Sequence, residues 1–222
     1  MTLVSAIMPT RGRPEMASRA LDSCLAQLYR PLEIVIADDT DDQSFPDSAI
    51  RDWKGVELVY LRLPKMKIGE KRNRLCEQAR GEIIVHIDSD DWSAPTRITD
   101  QVERLLSSGK AVSGYHSMLF WDGEQAFRYQ GIHDYSVGSA LCYRRDFWQQ
   151  HPFVAEHRGR WEDNVFVQQA RNDNQIIAVD AGQLMVARIH AGNTAPKKPR
   201  ESPRQWAAVD RSEIPEAFFQ WN

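Results

Sequence analysis

The sequence predicts an α/β fold with a mainly parallel sheet covered by helices on both faces. Three observations predict it: strand-like runs in the first half that are apolar almost throughout, helical patterns between them, and a change to short, hairpin-spaced strands after about residue 110. Leu3 to Met8 is a short apolar run ended by Pro9. From Glu15 to Leu28 the apolar positions Met16, Ala20, Leu21, Cys24, Leu25 and Leu28 have the spacing of one helical face. Leu32 to Ala37 is the second run, Val56 to Leu63 the third, with alternation, and Glu82 to Ile87 the fourth, preceded by a helical pattern from Glu70 to Arg80. A further helix is predicted from Pro95 to Ser107, stopped by Gly109. Beyond it, Ala111 to Trp121, Ala126 to Tyr129 and Ser139 to Tyr143 read as strands, and Arg144 to Gln150 and Trp161 to Arg171 as helices. Gln175 to Val179 and Leu184 to Ile189 are strands again, so this half is mixed and partly antiparallel. From Ala195 the composition turns to Pro, Lys, Arg and Ser, which predicts an irregular tail that wraps the surface or becomes ordered with ligand.

A chain of 222 residues can bury a core without staples. Its 28 basic and 31 acidic residues leave a formal charge of -3, with no global basic field to draw nucleic acid or anionic lipid. Nucleic acid is therefore not an expected partner. No apolar run approaches the ~20 residues of a spanning helix, which excludes an integral membrane segment. The first residues lack the basic, apolar and small-residue segments of a signal peptide, which predicts cytoplasmic residence. Cys24, Cys76 and Cys142 are odd in number, far apart and set in apolar segments, and are expected as small core residues.

In open parallel sheets, ligands bind beyond the carboxyl ends of the strands. The first run is followed by Pro9-Thr10-Arg11-Gly12-Arg13, the second by Asp38-Asp39-Thr40-Asp41-Asp42, and the fourth by Asp88-Ser89-Asp90-Asp91. Two acidic clusters are thus expected on one edge, where like charges persist only if solvated, paired with bases or bound to metal. Seven of the 31 acids lie in these clusters, so the rest of the chain is net basic. The alternating carboxylates of Asp88 and Asp90 suit a hard cation, Mn²⁺ or Mg²⁺, whose remaining positions go to phosphate and water. The basic stretch Lys65 to Arg74, with Gly69 just before a helical pattern, could hold a phosphate. Walker A, Gly-x-Gly-x-x-Gly, His-Glu-x-x-His and Gly-x-Ser-x-Gly motifs are all absent.

Six blocks in order, Ser5-Ala-Ile-Met-Pro-Thr-Arg, Ile34-Val-Ile-Ala-Asp-Asp, Ile68-Gly-Glu-Lys-Arg-Asn, Gly81-Glu-Ile-Ile-Val-His-Ile-Asp-Ser-Asp-Asp-Trp, Trp161-Glu-Asp and Ile189-His-Ala-Gly-Asn-Thr, resemble a family 2 glycosyltransferase of the GT-A fold. The resemblance implies a Rossmann-like, mainly parallel sheet in one domain over 1–195. About 1–110 would form the nucleotide-sugar half and about 111–195 the smaller acceptor half, with 196–222 as a C-terminal tail. It also implies an inverting transfer from a nucleoside diphosphate sugar. Pro9, Thr10 and Arg11 would line the nucleotide pocket. Asp39 would accept a base N–H, which favours uracil and so a UDP-sugar, and Lys71 or Arg72 would approach base or diphosphate. Asp88 would lie near the ribose or donor sugar and, with Asp90 and His190, around the divalent metal. Glu162 and Asp163 match the acidic pair that supplies the general base, with Asp163 as the base. Such a base takes the acceptor hydroxyl's proton as its oxygen attacks C1 opposite the leaving nucleotide, through an oxocarbenium-like transition state. Lys197 and Lys198 would close over the donor phosphates.

The Gln-x-x-Arg-Trp element of processive polymerases is absent, which implies transfer of a single sugar. The acceptor half carries no motif that names the acceptor, so a carbohydrate, a glycolipid or another hydroxyl remains open. Trp121, Trp148 and Trp161 are candidates for stacking on sugars and equally for the core. Two rival classes share parts of the pattern: a haloacid-dehalogenase-like phosphohydrolase, through the Asp-x-Asp strand end, and a sugar-nucleotide nucleotidyltransferase, through the fold. Asp91-Trp92 after the Asp-x-Asp element and the lack of a glycine-rich, lysine-containing first loop count against them. A non-catalytic relative would have no need of both Asp90 and Asp163.

Overall fold

In the computed structural model, which describes residues 1–41, 56–154 and 162–221, the four apolar runs become parallel strands. They are β1 (Val4–Thr10), β2 (Leu32–Asp38), β3 (Glu57–Arg62) and β4 (Ile83–His86), in the spatial order β3-β2-β1-β4. Val4, Ala6 and Met8 of β1 enter one core cluster and Ile7 the other, and Ile34 and Ile36 of β2 part from Val35 and Ala37 in the same way. A strand covered on both faces needs apolar residues at every position, hence the near-continuous runs. Helices α1 (Pro14–Leu25) and α3 (Arg97–Ser108) close the first face through Ala17, Leu21, Ile98 and Leu105. The second is closed by α2 (Ile68–Gln78) and α5 (Glu162–Asn172), through Leu75, Cys76, Phe166 and Val167. All three cysteines are buried and free, as expected of core residues.

Helix ends follow local chemistry. Pro14 opens α1 where its missing N–H costs nothing, and Gly109 ends α3 at φ 67°, a left-handed turn. The predicted end of α1 at Leu28 is corrected to Leu25, and Leu28 is 67% exposed. The Gln27 amide donates to Ser23 O and Ala94 O and accepts from Ile98 N, which takes the chain off the helical path.

The second half is organised by the ten-residue β6 (Val112–Trp121). It pairs antiparallel with β7 (Ala126–Gln130) and β8 (Cys142–Arg144), and parallel with β9 (Ile176–Asp180) and β10 (Met185–Arg188). β8 also pairs with β4, which joins both halves into one 11-stranded sheet. A two-residue strand, β5 (Trp92–Ser93), pairs with β10 and is too short to show in a sequence pattern. The strand predicted over Ser139–Tyr143 is corrected: a 3-10 turn occupies Gly138–Ala140, because the carbonyls of Gly138 and Ser139 serve His86 and Arg97 instead of a ladder. Arg145–Gln150 is α4.

The tail is not irregular. Trp206–Val209 forms β11, antiparallel to β7, and Glu216–Trp221 forms α6. Its polar average hides well-spaced aromatics: Phe218 is fully buried, Trp206 packs on Phe120, and Trp221 Nε1 donates to Arg19 O. Trp121, against Phe219, and Trp148, which donates to Asn73 Oδ1 at 3.0 Å, are core residues, not exposed stacking platforms. Asp42 and Trp161 lie outside the described residues.

Candidate active site

β2 and β4 flank β1 on opposite sides, so chain order reverses at the carboxyl end of β1, where an open α/β sheet forms its ligand crevice. A cleft of about 190 Å³ lies there. Pro9, Thr10 and Arg11 line it from the end of β1, Lys71 and Arg72 from α2, and Asp88 and Asp90 from the loop after β4. Glu162 and Asp163 reach it from the start of α5, and Lys197 from the tail. Ten residues expected at the site, far apart in sequence, thus share one cavity. Asp39 and His190 stand behind its wall, and Lys198 pairs with Glu201 on the surface.

The two acidic clusters are neutralised differently. Asp38 accepts from Thr40 N at 2.9 Å and Tyr60 OH at 3.0 Å. Asp39 pairs with Lys71 Nζ and accepts from Met66 N, and Lys71 also donates to Thr10 O. Burial pushes the Lys71 ammonium below its usual pKa, against the pull of Asp39. The second cluster is denser: carboxylate oxygens of Asp88, Asp90 and Asp91 lie within 4.8 Å of one another. Burial raises Asp88, and Asp90 adds to the rise while Arg72 opposes it. Asp91 is raised well above the usual range by burial and by its two neighbours. Burial opposes ionisation of Asp90 too, but the His190 hydrogen bond and the Arg13 charge outweigh it and hold its pKa low.

Arg72 joins the loop after β4 to the start of α5. It lies 3.6 Å from Asp88 Oδ1 through Nη2 and 3.3 Å from Glu162 Oε1 through Nε. Glu162 is buried, and that burial raises its pKa against the pull of Arg72. Asp163, whose Oδ1 accepts from Asn164 N at 2.8 Å, packs against Gly138 instead.

The residues fit a hard divalent ion. Asp88 Oδ1 is buried with no hydrogen bond among the described residues, and the neighbouring donors are carboxylate oxygens of the kind Mn²⁺ and Mg²⁺ prefer.

Several functional residues had no reading in the sequence. Arg97, fully buried at the first position of α3, donates to Ser93 Oγ, His86 O and Ser139 O, all at 2.8 Å. A cation at the positive end of a helix dipole is unfavourable and signals compensating carboxylates nearby; Asp91 and Asp88 supply them here. Arg13, His86 and Gly138 also hold the site, and single residues of these types carry no distinguishing pattern.

Residues 5–161 match the family model for glycosyl transferase family 2. The chain belongs to that family. An uncharacterized glycosyltransferase of Haemophilus influenzae is 30% identical over 129 residues, 56% of this chain and 51% of its own. The Escherichia coli enzyme WfaP, a UDP-Glc:alpha-D-GlcNAc-diphosphoundecaprenol beta-1,3-glucosyltransferase, is 29% identical over 103 residues, 46% of this chain and 41% of its own. The chain spans about half the length, or less, of the curated relatives it matches. The crystal structure of S. aureus TarS 1-349 in complex with UDP-GlcNAc superposes with a TM-score of 0.71 at 20% identity, over 90% of this chain and 63% of that one. The mannosyltransferase PcManGT from Pyrobaculum calidifontis, in complex with GDP-Man and Mn2+, gives 0.65 at 17% identity, over 90% and 59%. The family 2 domain therefore has the GT-A fold, and the phosphohydrolase and nucleotidyltransferase readings are set aside. Among the described residues no helix is long and apolar enough to cross a membrane.

Proposed function

We propose that this domain moves one sugar from a nucleoside diphosphate sugar, a UDP-sugar by preference, to an acceptor hydroxyl with inversion at the anomeric carbon. The observation that carries the reading is the single cleft lined both by the Asp88–Asp90 loop and by Asp163. Asp163 takes the hydroxyl proton as the acceptor oxygen bonds to C1. The C1–O bond to the diphosphate breaks, and its electron pair leaves with the nucleotide. Attack from the face opposite the leaving group inverts C1. Arg11 and Lys197 place positive charge in the cleft for the departing diphosphate. Pro9, Thr10 and Lys71 hold the nucleotide, with Asp39 fixing Lys71 from behind the wall. Asp88 and Asp90, with His190 behind them, would hold Mn²⁺ or Mg²⁺, which when bound neutralises charge on the leaving diphosphate.

The preference for uracil is supported by the UDP-sugar relatives and opposed by the GDP-Man complex. Residues 1–110 serve as the donor half and 111–195 as the acceptor half, with the 196–222 tail bringing Lys197 to the donor. The acceptor is a carbohydrate, a glycolipid or another hydroxyl compound. A cytoplasmic placement belongs to the same proposal and is supported by the three unpaired cysteines. A screen of UDP- and GDP-sugars for hydrolysis, with and without Mn²⁺, tests it. Consumption of a UDP-sugar that Mn²⁺ accelerates is expected, with a product inverted at C1 by NMR. Tight GDP binding without metal would overturn the uracil and metal assignments, and a retained anomer would overturn inversion.

A further inference from the structure

One carboxylate of the candidate metal site is already held by a cation of the chain itself. Asp90 Oδ2 pairs with Arg13 Nη1 and also lies 2.9 Å from His190 Nε2. The other arm of the Arg13 fork, Nη2, donates to Gly192 O at 3.0 Å, and Gly192 N–H donates to His190 Nδ1 at 3.1 Å. A backbone N–H can only donate, so Nδ1 carries a lone pair and the proton of neutral His190 sits on Nε2, facing Asp90. His190 thus supplies a hydrogen bond, and Arg13 supplies the charge. The contacts Arg13–Asp90, Asp90–His190, His190–Gly192 and Gly192–Arg13 close a ring across the loops after β1, β4 and β10.

The local backbone is built for this contact. Gly12 takes φ 63°, a left-handed turn open to glycine, and its N–H donates to Thr40 Oγ1 at 2.8 Å. The turn leaves Arg13 at the N-cap of α1, where it makes no side-chain cap bond and where the helix dipole disfavours a cation. Arg13 is kept there by Asp90, not by the helix. A divalent ion drawn to Asp90 competes with the guanidinium for the same negative charge, and the two positive centres repel each other at that distance.

We propose that Arg13 occupies the cation seat of Asp90 when no donor is bound and yields it to the divalent ion. Arg13 then sets the metal affinity of the site and, until displaced, ties the 190–193 turn to it. This rests on the metal reading above, and the test separates the two.

Binding of Mn²⁺ alone is measured by electron paramagnetic resonance of the free ion, for the wild type, Arg13→Gln, Arg13→Lys, Asp90→Asn and the Arg13→Gln/Asp90→Asn double variant. Losing a charged hydrogen bond of this kind should let Arg13→Gln bind Mn²⁺ about 10- to 100-fold more tightly. Arg13→Lys, which keeps the charge, should stay near the wild type, and the double variant should lose the gain. Without metal, Arg13→Gln should melt at a lower temperature than the wild type and recover more on adding Mn²⁺. If Arg13→Gln binds no more tightly while Asp90→Asn still abolishes binding, the metal site stands and the role of Arg13 is wrong. Equal tightness in Arg13→Lys and Arg13→Gln would also overturn it. If Asp90→Asn leaves Mn²⁺ binding unchanged, or if no protein binds Mn²⁺ even with UDP, the metal reading itself fails.

Discussion

Gly138 lies against the carboxylate of Asp163 with no room for a methyl group between them: a Cβ on Gly138 would stand 2.7 Å from Asp163 Cγ and 2.8 Å from its Cβ. Glycine is required here for space. Nor can the backbone at 138 retreat easily. Burial and the Arg72 charge push the pKa of His86 well down, its Nδ1 lies 2.8 Å from Gly138 O, and Arg97 holds the next carbonyl. In Gly138→Ala the carboxylate must therefore move. Since a 1 Å misplacement of a reacting group costs about 100-fold, kcat should fall by about that factor with donor affinity unchanged. An unchanged kcat would show that Gly138 does not position Asp163.

The acidic pair divides its work by its partners. Glu162 belongs to Arg72 and Asp163 to the cleft, so Asp163→Asn should lower kcat by about 100- to 10,000-fold, the range of a lost general base. Glu162→Gln should cost less than about tenfold in kcat, because Arg72 keeps Asp88 as its counter-charge. Donor binding by calorimetry should be near normal in both. The opposite ranking of the two would transfer the base to Glu162.

Glu33 gives the fold an acid limb. It is the one charged residue in β2's apolar run, and it accepts from Ser5 Oγ at 2.5 Å, Arg80 N at 2.6 Å and Arg80 Nε at 2.9 Å. Burial opposes its charge, but these bonds outweigh it and lower its pKa below the ordinary 4.5. A depressed folded-state pKa gives stability that is present above the unfolded value and lost as pH falls through the folded one. Glu33→Gln should destabilise by about 1–3 kcal/mol at pH 7, from donors left poorly matched. Urea titrations should show that difference shrinking below pH 4.5. A constant difference down to the acid transition would rule the linkage out.

The tail and the end of α1 make a matched pair. Phe218→Ala empties a fully buried position that also supports Arg188, whose guanidinium lies 5.5 Å from the Phe218 ring and 4.6 Å from the Trp221 ring. It should cost about 3–5 kcal/mol by chemical unfolding. Leu28→Ala should change stability by less than about 0.5 kcal/mol, because Leu28 is exposed. Comparable losses would mean that Leu28 is covered in solution.

The parallel half was legible because its signals are local. Unbroken runs such as Ile34 to Ala37, separated by helical patterns, read as strands covered twice, and the acidic clusters at two strand ends, Asp38-Asp39 and Asp88-Ser89-Asp90, together mark the ligand edge. The β11–α6 tail was missed because seven prolines, lysines and arginines between 196 and 204 dominate the composition, while Trp206, Phe218 and Trp221 are too widely spaced to make a period. Strand β5 was missed because two residues have no period at all.

By itself the sequence determined the fold class and the order of the parallel strands' loops, and it singled out Thr10, Lys71, Asp88, Asp90 and Asp163, which line one cleft. Tertiary structure alone decided who partners whom. It placed Lys71 on Asp39, Arg72 between Asp88 and Glu162, Gly138 under Asp163, and Arg13 on Asp90. The reason is physical. Periodicity records which face of an element is buried, a property of neighbours in sequence. The pairing of two buried charges depends on distances of a few ångströms between elements far apart in the chain, such as α2 at 72 and α5 at 162, and those are set only when the sheet is assembled.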